Sequence, residues 1–139
     1  MKKKLMVVGV IWVSLVLLTG CTSGDWSSLD TEIVEHEKRC LALEKESIVA
    51  IWEGEDIVVT AIFSTPVPCY LIKSVSARQR ENEIEVDIKV EREEGVCIEC
   101  IGCQKITCRV KAPLFYPDIN LELQLEIDGQ KVVVQSLPI

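Results

Sequence analysis

The chain has 139 residues, enough for one domain and little more. Its 15 Lys and Arg face 22 Asp and Glu, a net charge of −7, and this balance argues against nucleic-acid binding, which needs a basic face to replace phosphate counterions. A single histidine, His36, removes every metal site that needs two imidazoles and every Ser-His-Asp or Cys-His set not built on it; none of the G-x-S-x-G, G-x-x-x-x-G-K-[ST], G-x-G-x-x-G or H-E-x-x-H motifs occurs.

Residues 1–21 read MKKKLMVVGVIWVSLVLLTGC. Lys2, Lys3 and Lys4 precede an apolar run of 14 residues, Leu5 to Leu18, broken only by Gly9 and Ser14. The run is shorter than the ~20 residues of a transmembrane helix and fits the charged and apolar regions of a signal peptide. It ends in Leu18-Thr19-Gly20-Cys21, which resembles the lipobox of prokaryotic lipoproteins. That resemblance implies removal of residues 1–20, a diacylglyceryl group on Cys21, and a membrane or envelope location on the extracytoplasmic face. Each buried acyl CH₂ contributes ~0.8 kcal/mol, so two chains anchor durably. A retained signal anchor is the alternative. Without the three lysines, 12 bases face 22 acids, a net of −10.

Residues 21–47 are expected to hold the lipid anchor, a polar tether over Thr22–Asp25 and a short N-terminal segment. Within 29–47, Asp30 could cap a helix carrying Ile33, Val34, Glu37, Cys40 and Leu41 on nearby faces. The apolar stripe is thin and short edge strands are the competing reading; the helix is the expectation adopted, with His36 solvated.

From residue 48 to 139 the period is two. Glu83–Glu91 alternates charges with Ile84, Val86, Ile88 and Val90; Lys105–Lys111 sets Ile106, Cys108 and Val110 inward; Leu121–Ile127 sets Leu121, Leu123, Leu125 and Ile127 against Glu122, Gln124 and Glu126. Asp128-Gly129 supplies a hairpin turn into Val132–Val134. Further apolar runs are Ile48–Trp52, Ile57–Phe63 and Tyr70–Val75. The expected fold is all-β, an immunoglobulin-like antiparallel sandwich of about seven strands with one polar and one apolar face on each sheet.

Setting aside Cys21, six cysteines remain: Cys40, Cys69, Cys97, Cys100, Cys103 and Cys108. An even number outside a membrane reads as disulfides. If Tyr70–Arg80 and Glu83–Arg92 pair about Glu81-Asn82, partner numbers sum to about 163 and Cys69 and Cys97 lie just past the same open end, so these two are expected to bond. The pairing of Cys40, Cys100, Cys103 and Cys108 stays open. Cys97, Cys100, Cys103 and Cys108 spell C-x₂-C-x₂-C-x₄-C, which admits a thiolate metal or iron–sulfur site, but the last gap is four and no Pro follows as in a bacterial ferredoxin run. No metal and no cofactor are expected. Strand alternation directs Cys108 inward and Cys103 outward.

The lipobox, a P-x-P-C-Y strand start and a G-V-C segment together resemble small lipoproteins of archaea and bacteria with one immunoglobulin-like domain, a resemblance that implies no activity. Asn and Gln total only seven, which resembles thermophile composition. Two functions compete. The first is a non-catalytic, lipid-anchored surface binding or structural module, its partner docking near Ser64–Pro68 or Pro113–Asn120. There Leu114, Phe115 and Tyr116 are expected to fold back over the open end of the core, with exposure to a partner as the alternative. The second is an extracytoplasmic thiolate metal or redox protein using the Cys97–Cys108 cluster.

Overall fold

The computed structural model describes residues 24–40 and 46–139. Residues 1–23, with the segment expected to be a signal peptide and Cys21, lie outside the described part. Nine strands follow in order: β1 Ser27–Leu29, β2 Thr31–Cys40, β3 Ser47–Glu53, β4 Asp56–Thr65, β5 Tyr70–Arg80, β6 Glu83–Arg92, β7 Gly102–Val110, β8 Asn120–Ile127 and β9 Gln130–Pro138. They form two packed sheets, one of five strands in the order β1-β5-β6-β8-β9 and one of four in the order β2-β7-β4-β3.

The alternating segments do what their period dictates. Ile84, Val86, Ile88 and Val90 of β6 and Leu121, Leu123 and Leu125 of β8 are buried from one sheet. Ile57, Val59, Ala61 and Phe63 of β4 with Ile106, Cys108 and Val110 of β7 meet them from the other. Glu81, Asp128 and Gly129 take positive φ in the turns that close β5–β6 and β8–β9, the backbone that tight hairpins require.

Three expectations need correction. The described part of the stretch read as a helix is strand β2, paired antiparallel with β7 from Thr31↔Val110 to Cys40↔Gly102; Leu41 lies outside the described residues. As the edge of its sheet it needs little apolar surface, and a bulge between Ile33 and Glu35 breaks its alternation, so the period-two signal is lost. The described sandwich takes in residues 27–40, ahead of the boundary expected at 48, so that β1 and β2 add two strands to the seven, β3–β9, that lie from residue 47 onward. Nor is it wholly antiparallel: β6 and β8 run parallel, Ile84 beside Leu121 and Val90 beside Ile127. The chain leaves β6, crosses to the other sheet as β7, and returns as β8, the crossover that parallel neighbours require.

The strands define two ends. One carries the β5–β6 turn, the β3–β4 turn, the 111–119 connection and the start of β1. The other carries the 65–70 and 93–101 loops, the end of β2 and the β8–β9 turn. Ten-residue strands such as β4 and β6 separate the two ends by roughly 30 Å.

Candidate functional site

The chemistry-bearing residues gather at the second end. Cys69, just before β5, is bonded to Cys97, with Cα atoms 5.9 Å apart. Cys40, the last residue of β2, is bonded to Cys100, with Cα atoms 5.7 Å apart. The β5–β6 register that places the first pair is Ala77↔Val86 and Arg80↔Glu83, shifted by one beyond the bulge at Ile72/Ser74 to Tyr70↔Arg92. The ladder is extended by Glu93 N–H donating to Cys69 O at 2.9 Å. The 93–101 loop is thus tied to both sheets, once through β5 and once through β2. Its apolar side chains point away from the body: Ile98 is 71% exposed, and Val96 and Ile101 are also exposed.

Beneath this loop lies a buried polar cluster. Gln104, fully buried on the inward side of β7, donates from Nε2 to Pro68 O at 2.9 Å and Thr65 Oγ1 at 3.3 Å. With the amide nitrogen so used, Oε1 is the acceptor, and His36 Nε2 donates to it at 2.7 Å. Thr65 Oγ1 in turn donates to Val67 O at 2.6 Å. His36 is therefore half-buried and bonded, not the solvated residue expected. Gly102 completes the packing, since a Cβ there would come within 2.6 Å of Pro68 Cα, Val67 O and Thr65 Oγ1. Nearby, Asp128 accepts from Tyr70 Oη at 2.9 Å and from Arg92 N–H at 3.0 Å; burial first and this carboxylate second push the Tyr70 phenol above its ordinary value. The cluster was missed in the sequence, although its signal was there: Gln104 shares the inward parity of Ile106 and Cys108.

The four sulfurs of the C-x₂-C-x₂-C-x₄-C run do not converge. Cys97 and Cys100 are held in separate disulfides. Cys108 faces the core, fully buried, and burial pushes its thiol up to about 11, which keeps it protonated and unreactive near neutral pH. Cys103 has the opposite parity yet is only 7% exposed. Among the described residues no group of three or more His, Cys, Asp or Glu could hold a metal ion.

The first end has a different character. Gln79 in β5 clamps the 111–119 connection, donating to Leu114 O at 2.7 Å and accepting from Leu114 N–H at 2.8 Å. Asp56 accepts from Ala112 N–H at 2.9 Å and from Arg109 at 3.2 Å; that backbone donor, and then Arg109, hold its carboxyl below the usual range. On this frame Leu114 is 66% and Phe115 79% exposed, with Tyr116 partly so, and Phe115 leans on Trp52 at 6.1 Å between ring centroids. The three protrude rather than fold back. The two docking regions expected from the sequence, Ser64–Pro68 and Pro113–Asn120, thus lie at opposite ends of the sandwich. A cleft of about 210 Å³ lined by Ile48, Ala61, Phe63 and Leu125 is smaller than ordinary ligand sites. No family model, curated protein or solved structure matches this chain.

Proposed function

We propose that the protein is a non-catalytic, lipid-anchored module of the extracytoplasmic membrane or envelope surface, binding or structural in role, with an immunoglobulin-like sandwich as its body. The observation that carries the reading is the pair of disulfides that cross-link the 93–101 loop to both sheets, at the end opposite the one where β1 begins. Disulfides of this kind persist in oxidising compartments, in keeping with the lipobox at Leu18–Cys21. A chain anchored at Cys21 would hold β1 near the membrane and present the stapled loop outward, its exposed Val96, Ile98 and Ile101 available to a partner. The immunoglobulin-like reading finds support in the neighbouring β3, β4 and β7 of one sheet and the β8–β9 hairpin of the other; the parallel β6–β8 pair is a departure from the immunoglobulin arrangement. The thiolate-site alternative would need Cys97 and Cys100 as thiolates, whereas each is held in a separate disulfide.

Fractionation tests the proposal. The native chain is expected in the membrane fraction, and Cys21→Ala is expected to release or mislocalise it. An unchanged membrane fraction for Cys21→Ala, with an intact N-terminus, would contradict lipid anchoring.

A further inference from the structure

The start of the described chain and the protruding 112–118 loop are neighbours. Ser27 pairs with Gln79 in the β1–β5 ladder, and the Gln79 side chain holds both backbone groups of Leu114. Gly24 lies against the β5–β6 turn, where a Cβ would stand 3.4 Å from Arg80 Cγ and 3.5 Å from Glu81 Oε1. The same turn bonds the far side of the loop, Asn82 Nδ2 donating to Asp118 O at 3.2 Å. Cys21 precedes Gly24 by three residues, which even fully extended reach about 10 Å. Anchoring through Cys21 therefore holds this end of the sandwich against the bilayer.

We infer that the anchored end docks on the lipid surface itself, with Leu114, Phe115 and Tyr116 entering the boundary between headgroups and acyl chains. The inference rests on the membrane-anchoring reading and adds an orientation and a second contact to it. Its chemistry is that of an interfacial knuckle: two aromatic rings and a leucine side by side, a tyrosine hydroxyl able to stay among the headgroups, and a frame fixed by Gln79, Asp56 and Asn82 so that little ordering is needed on contact. Glu81, Glu83 and Asp118 stand around the loop, and Arg80 is already paired with Glu83 at 3.0 Å. The surface is thus suited to zwitterionic headgroups, and apolar insertion rather than attraction to anionic lipid supplies the contact.

The test uses the full chain, extracted from membranes and reconstituted into phosphatidylcholine vesicles with or without bromine on the acyl chains. Phe115→Trp and Ile98→Trp place a reporter at each end, both at exposed positions that leave the core intact; the parent spectrum, from Trp26 and Trp52 in the mature chain, is subtracted. Vesicle flotation and the intact mass of each preparation report anchoring independently. The expected result is flotation, loss of about half or more of the Phe115→Trp emission in brominated vesicles, and loss of under about a tenth for Ile98→Trp. Flotation with equal quenching of the two reporters would overturn the docking while leaving the anchor standing. Failure to float, with no acyl mass on Cys21, would overturn both.

Discussion

Replacing Gln104 by Leu keeps the side-chain volume nearly constant and removes three hydrogen bonds, to Pro68 O at 2.9 Å, Thr65 Oγ1 at 3.3 Å and His36 Nε2 at 2.7 Å. Not all of this is lost. Pro68 O keeps the Tyr70 N–H at 3.0 Å and Thr65 Oγ1 keeps Val67 O, while His36 is half-exposed and can turn to water. At about 1 kcal/mol net per bond, with the long Thr65 contact counted at less, the expected loss is about 2 kcal/mol. For a domain of this size that corresponds to a fall in Tm of about 8 °C. Urea unfolding followed by tryptophan fluorescence measures it, and a cycle with His36→Ala should return a coupling of about 1 kcal/mol. Stability unchanged in Gln104→Leu would refute the claim that this cluster fixes the 65–68 loop against β7, and additive effects of the two substitutions would refute the His36–Gln104 share of it.

Gly102→Ala is expected to cost about 2 kcal/mol or more in the same assay, because the new methyl meets the Pro68 backbone, which can yield only by moving the loop that carries Cys69. Removing the Cys69–Cys97 bond as a double serine variant should lower stability by about 3.5 kcal/mol from its 28-residue separation. Non-reducing peptide mapping of the parent should show Cys40 joined to Cys100; Cys40 joined to Cys69 or Cys97 instead would contradict the register. Burial pushes the Cys108 thiol up from its ordinary 9.0 to about 11. The fold favours its protonated form, so this contribution is whole below pH 9 and lost as pH rises from 9 to 11. The loss amounts to about 2–3 kcal/mol, and Cys108→Ala should flatten that part of the stability–pH curve.

Where burial is one-sided and regular, the sequence is easily read. β6 and β8 alternate residue by residue because one face is core and the other water, and Asp128-Gly129 announces its turn because few residue pairs tolerate positive φ twice. β2 was not legible for the opposite reason. Its inner face carries Ile33, His36 and Lys38, a mixture that an edge strand tolerates, and the bulge at Val34 disguises the period. The strand order was equally hidden, since an alternating strand looks the same beside a parallel or an antiparallel neighbour. Cys69–Cys97 could be reasoned from a hairpin register, whereas Cys40–Cys100 depends on β2 lying beside β7. The exposure of Leu114 and Phe115 turns on the Gln79 clamp, a contact across 35 residues that no local pattern displays.

The intact mass of the protein extracted from membranes decides whether the chain is lipid-anchored at Cys21. The expected species is a chain beginning at Cys21, with the mass of residues 1–20 absent, acyl mass added at Cys21, and four hydrogens fewer than the fully reduced chain for the two described disulfides. A chain retaining its N-terminus, or a Cys21 without lipid, would contradict it.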